Sequence, residues 1–238
     1  MPQAGICWRP LTLTSASLSF AFAEPTAFEL RATLAPGAPA SHAIAAVDLL
    51  AHASAHDDGS LGGGGAHAHA LVRSAFFASV SRELRPRCAS CKATAALAPL
   101  MQAASLHLGR LLDLVGEVQF LEARVPVAAS VEEGQGVALS LGYAFFSARA
   151  KFVLHLLVAS LDPNTPLAWQ LDVEDTAAAP PPAAAHAATS AADATALAAH
   201  HEEAIRRQVG AVVDAHSRGF GRLRAIHAAL LKSFCAVA

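Results

Sequence analysis

The sequence predicts an α+β protein in which helices cover antiparallel meander sheets, and three observations carry that prediction. Apolar residues recur at helical three-and-four spacing from Leu97 to Leu121, the period then drops to two between Val137 and Val158, and a similar hairpin occurs a second time near the start of the chain.

Taken in order, Leu11 and Leu13, then Leu18, Phe20 and Phe22, alternate with Thr and Ser and read as strands. Arg9 ahead of this run and Ala21-Phe22-Ala23 at its end have the outline of a secretion signal. A signal core is uniformly apolar, however, and this run alternates, so strands are expected. Ala27 to Ala32 supplies the next strand and Ile44 to Leu50 a further apolar segment. Leu71, Val72, Phe76, Phe77, Val80 and Leu84 then mark a helix that Pro86 is expected to end.

The next helix carries Leu97, Leu100, Met101, Ala104, Leu108, Leu111, Leu112, Val115, Val118 and Leu121 on one broad face. Val137, Leu139, Leu141, Tyr143 and Phe145 alternate with small residues, and Phe152, Leu154, Leu156 and Val158 repeat the pattern after a turn at Ser147 to Lys151. Leu167 to Val173 follows. A last helix runs from Ile205 through Val209, Val213 and Leu223 to Phe234, with Glu202 and Glu203 expected in its first turn and Arg206 and Arg207 four residues on. Gly219 and Gly221 flank Phe220, and each costs roughly 1 kcal/mol against Ala inside a helix, so a break there is expected.

The two hairpins, Leu18-Ser19-Phe20 leading to Phe28-Glu29-Leu30 and Leu139-Ser140-Leu141 leading to Phe152-Val153-Leu154, divide the chain into related halves, 1–90 and 91–238. Two segments read as loops. One is 51–70, with His52, His56, Asp57, Asp58, Gly62 to Gly65, His67 and His69; the other is 176–194, Ala-rich around Pro180 to Pro182.

The 238 residues are 54% hydrophobic and carry a net charge of −2, which argues for a globular core and against a protein whose main work is neutralising phosphates. No apolar run reaches the roughly 20 residues of a membrane span. Four cysteines are too few and too scattered for a disulfide framework.

Cys88-Ala89-Ser90-Cys91 is the one recognisable chemical motif, because C-x-x-C places two thiols at the spacing of a zinc site or a redox dithiol. A closed zinc site needs two more ligands, which the His-rich segment (His67 and His69, or His52 and His56) could supply. The competing expectation is two thiols in an exposed turn between helices. His200-His201-Glu202-Glu203 lacks the H-E-x-x-H spacing that puts two imidazoles on one helix face. No G-x-S-x-G, P-loop or dinucleotide fingerprint occurs. Arg218, Arg222, Arg224 and Lys232 give the last helix a basic edge, expected to be a solvated face.

The helix segment Leu111-Leu112-Asp113-Leu114-Val115-Gly116-Glu117-Val118, the strands Gly136 to Tyr143 and Ala148 to Leu156, and the turn Asp162-Pro163-Asn164-Thr165-Pro166-Leu167 together resemble an RWD domain. More narrowly they resemble the C-terminal tandem RWD region of outer-kinetochore scaffolds of the Blinkin family. The likeness extends more weakly to the first half, from Trp8 to Leu84. It implies two RWD-like domains, each an antiparallel meander packed by helices. It also implies a nuclear, kinetochore-bound module without cofactor or small-molecule substrate, which docks a scaffold on the MIND complex through a subunit tail during chromosome segregation. The fold is shared with ubiquitin-conjugating enzymes, whose chemistry needs a nucleophilic Cys and an Asn beside it. After Leu167 the only cysteine is Cys235, and Asn164 is the only asparagine, so no enzyme is expected. Departures from the family are Asp162 where an aromatic is usual and no helix ahead of Trp8. The expected partner surface is a cleft between the repeats using Phe76, Phe77, Leu106, Leu114 and Phe120 for apolar contact, with Arg110 and Arg124 for acidic groups. A generic RWD adaptor, or a zinc-bearing module using Cys88 and Cys91, is the alternative.

Overall fold

The computed structural model describes residues 8–22, 27–36, 43–52, 67–174 and 191–235, and is α+β with two antiparallel four-stranded sheets. Strands β1 (Trp8–Leu13), β2 (Ser17–Phe22), β3 (Phe28–Leu34) and β4 (Ile44–Ala51) form the first meander, followed by α1 (Ala68–Ser90) and α2 (Leu97–Glu122). Strands β5 (Val127–Glu132), β6 (Gly136–Phe145), β7 (Ala150–Val158) and β8 (Ala168–Val173) form the second, followed by α3 (Ala191–His216) and α4 (Arg222–Cys235). Internal contacts divide the chain into compact units at 1–112 and 113–238, a boundary that falls within α2.

In the first unit the expected alternation holds its register. Phe22, Phe20 and Leu18 pair with Phe28, Leu30 and Ala32, so one face of the sheet is apolar throughout. That face builds a core of Leu30, Ala32, Ile44 and Val47 with Cys91, Leu97 and Leu100, to which Trp8 adds a half-buried ring. The Trp8 indole N–H is satisfied by the Met101 carbonyl at 3.1 Å and Ser105 Oγ at 2.8 Å. Ala68, Val72, Phe76, Val80 and Leu84, each four residues apart, form the buried stripe of α1.

Several boundaries differ from the sequence expectation. Helix α1 starts at Ala68 and passes through Pro86 to Ser90, so Pro86 does not end it. Pro86 removes only one hydrogen bond, to the carbonyl of Arg82, and both residues are exposed, so the loss is not a buried one. Of the two expected loops, His52 is described, 53–66 and 175–190 lie outside the described residues together with His56, Asp57, Asp58 and Gly62 to Gly65, and Ala191 already belongs to α3. Glu202 and Glu203 therefore lie well inside α3 and not in its first turn. Arg206 does pair with Glu202, at 2.7 Å.

In the second unit β6 and β7 alternate without a fault, burying Val137, Leu139, Leu141, Tyr143 and Phe145 against Phe152, Leu154, Leu156 and Val158. Phe234 of α4 stacks on Phe145, with ring centroids 4.9 Å apart. The expected helix break is present: α3 stops at His216, α4 begins at Arg222, and Gly219 and Gly221 both take positive φ.

Two buried charges tie that break to the rest of the unit. The Glu117 carboxylate on α2 accepts the N–H of Gly221 at 3.0 Å and of Leu223 at 2.7 Å, capping α4 from another helix. Arg222, expected on a solvated basic edge, is instead buried and donates to the carbonyls of Thr165 at 2.6 Å and Ser160 at 3.2 Å. The turn it clamps is the Pro163 to Pro166 turn, held also by an Asx bond from the Asn164 N–H to Asp162 Oδ1 and by the Gly219 N–H on the Pro163 carbonyl. No described helix is long and apolar enough to cross a membrane.

Candidate functional site

Helix α2 ends two residues before Arg124, and the chain turns through Val125 and Pro126 into β5. This corner, the end of β6 and the outer side of α4 enclose an open groove of about 610 Å³ in the second unit. Phe120, Arg124, Tyr143, Phe145, His227 and Leu231 are among the residues lining it. The Arg124 guanidinium lies 3.6 Å from the centre of the Phe120 ring and donates to the Phe120 carbonyl, while Arg224 approaches the same ring at 4.9 Å. The Phe120 ring thus has two cations within reach of its π face.

Deeper in, the Tyr143 hydroxyl and His227 Nδ1 are 3.2 Å apart and both side chains are buried. Burial, and secondarily the charge of Arg124, push the His227 pKa down, so the imidazole is neutral near pH 7. Burial also pushes the Tyr143 phenol up, leaving it un-ionised. The groove therefore offers an aromatic, uncharged floor with the Arg124 guanidinium on its lining. Such a surface suits an apolar side chain followed by a carboxylate.

The seven residues expected at a partner surface fall in different settings. Phe76 and Leu114 are buried core residues of their own units, so neither offers a side chain to a partner. Phe77 is half-buried and stacked on Phe28 at 5.3 Å, a packing role. Leu106 is exposed and lines a shallow hollow in the first unit with Arg87, Pro99 and Gln102. Arg110 is half-buried, with an Nε that has no hydrogen-bond partner. Within the second unit, Phe120 and Arg124 are brought together.

Cys88 and Cys91 are not in an exposed turn. Cys88 lies in the last turn of α1 and Cys91 is its C-cap, buried in the first unit's core. Burial raises both thiol pKa values, for Cys88 with help from Cys91 and Asp48. A raised thiol is a poor metal ligand and a poor nucleophile, because both roles need the thiolate. Among the described residues no third histidine, cysteine or carboxylate joins the pair within ligand distance. Cys88→Ser is therefore expected to leave the zinc content of protein purified under reducing conditions unchanged by elemental analysis; a stoichiometric content that the substitution abolishes would contradict this.

One constellation was not legible in the sequence. On the outer face of the second sheet, Ser140 Oγ lies 2.8 Å from His155 Nδ1, and His155 Nε2 lies 3.1 Å from Asp172 Oδ2, across β6, β7 and β8. The residue types are those of an acyl-transfer relay, but Ser140 lies mid-strand with paired neighbours on both sides, Ala128 and His155. Its surrounding backbone N–H groups belong to the ladders, which leaves no donor pair for an oxyanion. The trio is a cross-strand polar cluster, of the kind that stabilises a sheet face.

No family model matches this sequence, and no curated protein matches it.

Proposed function

We propose that the chain is a non-catalytic docking module of the tandem RWD kind, which holds an outer-kinetochore scaffold of the Blinkin type on the MIND complex in the nucleus. The observation that carries this reading is the groove at Phe120, with its uncharged aromatic floor and the Arg124 guanidinium on its lining. A subunit tail that ends in an apolar residue beside an acidic group matches it in shape and charge. The repetition of a four-stranded meander followed by helices supports a duplicated platform, and so does the Pro163 to Pro166 turn braced by Arg222. The sequence carries no cysteine between Leu167 and Cys235, which supports the non-catalytic reading.

Binding to a reconstituted MIND complex tests the reading. The wild-type chain is expected to bind at micromolar concentration, and Arg124→Glu is expected to weaken binding at least about tenfold. Arg124→Gln, which removes the charge without reversing it at the end of α2, is expected to weaken binding with only a small drop in thermal midpoint. No binding by the wild type at about 50 µM would remove the kinetochore assignment and leave an RWD adaptor of another pathway.

A further inference from the structure

The two meanders present four edge strands, and three of them are protected. Strand β1 carries Pro10 and a register shift between Pro10 and Thr12, either of which spoils it as a template. Strand β4 is engaged at its start, where the Ile44 N–H bonds the Lys92 carbonyl and Ala43 bridges Ala93. Strand β8 gives its Leu171 carbonyl to Arg206 at 2.8 Å, and its Trp169 indole bonds Asp214.

Strand β5 has no such protection. It contains no proline or lysine, and its register with β6 runs unbroken from Val127↔Leu141 to Glu132↔Gly136. The Gly142 N–H donates to the Pro126 carbonyl at 3.0 Å, so position 126 faces β6. The alternation of an antiparallel ladder then turns 128, 130 and 132 toward β6 and leaves the N–H and C=O groups of Val127, Ala129 and Val131 on the outer edge. Among the described residues nothing pairs with them. Val131 is also 55% exposed, although its side chain lies on the same sheet face as the buried Leu139 and Val137.

We infer that the outer edge of β5 pairs antiparallel with the same edge of a second copy of this chain, about a two-fold axis at Ala129. This register sets Ala129 opposite Ala129 and Val127 opposite Val131, and uses every outward backbone group of the strand. It covers the exposed Val131 with Val127 of the second copy, while Ala128 and Ser130 on the other face are too small to obstruct the approach. The charges fit the same orientation. Arg124 precedes the strand and Glu132 and Glu133 end it, so antiparallel pairing brings the basic end of one copy near the acidic end of the other. Parallel pairing would set Glu132 and Glu133 against their own copies. A foreign extended peptide is the competing occupant, but it would have to bring the same charge order, which a second copy has by construction.

Sedimentation of the full chain from about 1 µM to about 300 µM tests this, together with amide exchange at both ends of the range. The expected result is a rise from the 24.4 kDa monomer toward twice that mass, with slowed exchange at Val127, Ala129 and Val131 and no change at Ala128, Ser130 and Glu132. Val131→Lys, a surface change that need not disturb the fold, is expected to raise the dissociation constant at least about tenfold. Ala129→Pro, which removes an outward N–H, is expected to do the same. A wild type that stays monomeric at the highest concentration overturns the inference, as does a dimer that persists in Val131→Lys. Protection of the three odd-numbered amides only when a foreign peptide is added assigns the edge to another chain and also overturns it.

Discussion

Glu117→Leu is expected to destabilise the protein by about 3 kcal/mol in urea unfolding, with Glu117→Gln costing clearly less. Leucine has similar bulk but accepts nothing, so the N–H groups of Gly221 and Leu223 lose their partner at the start of α4. A buried donor left unsatisfied costs roughly 1–3 kcal/mol, and two are involved. Arg222 would in addition remain buried without the nearby carboxylate charge that favours its ionised form. Glutamine keeps one acceptor oxygen and so can retain one of the two bonds. Equal stability of the wild type and Glu117→Leu would show that the cap contributes nothing.

The same residue gives a pH signature. Burial raises the Glu117 pKa above its ordinary value of 4.5, and this outweighs the backbone N–H bonds and Arg222, which pull it down. The folded chain therefore holds this proton more tightly than the unfolded chain. The resulting stabilisation is fully present below the unfolded pKa and is lost as pH rises through the folded one. The midpoint of the wild type relative to Glu117→Gln is thus expected to be highest near pH 4 and to decline toward pH 7. A difference that grows with pH would mean that the carboxylate is better stabilised than the carboxylic acid, and would reverse the sign argued here.

How much of this was legible follows from what each element does. Strands β2, β3, β6 and β7 have one apolar face each, so period two exposes them; their register follows from keeping that face continuous. Strand β5 does not stand out, because Val127-Ala128-Ala129-Ser130-Val131 has little contrast between faces. The start of α3 was hidden for a related reason: Ala-rich sequence has helix propensity but no stripe, and it merges with the Pro-containing segment before it. Phe120 was findable because it lies off the buried stripe of α2, and Arg124 because it is a charged residue just past the end of that helix. Tyr143 and His227 were not, since each occupies a position that reads as core and only the fold brings them to one groove. Glu117 and Arg222 look like polar helix positions; that both are buried depends on how α2 meets the α3–α4 link.

Gly136→Ala is expected to be at least as damaging as Glu117→Leu, costing about 3–5 kcal/mol, whereas Gly134→Ala two residues earlier should cost about 1 kcal/mol. Both glycines have positive φ, +73° at Gly134 and +125° at Gly136, so both carry a backbone penalty for any side chain. They differ in surroundings. A Cβ at Gly134 meets nothing within 4 Å, but one at Gly136 would stand 2.2 Å from the Val158 carbonyl oxygen and 2.8 Å from the Ala159 Cα. Those are backbone atoms of the last residue of β7 and of the residue after it, so no rotamer change relieves the clash. Either the β6–β7 ladder opens from its Val137↔Val158 end or the β5–β6 turn is rebuilt. In the first case the buried Val137 and Val158 lose their packing as well, and amide exchange at that end of β7 should accelerate before the global midpoint is reached. Similar stability of the two alanine variants would show that the close approach at Gly136 is relaxed in solution, and that positive φ alone explains both glycines.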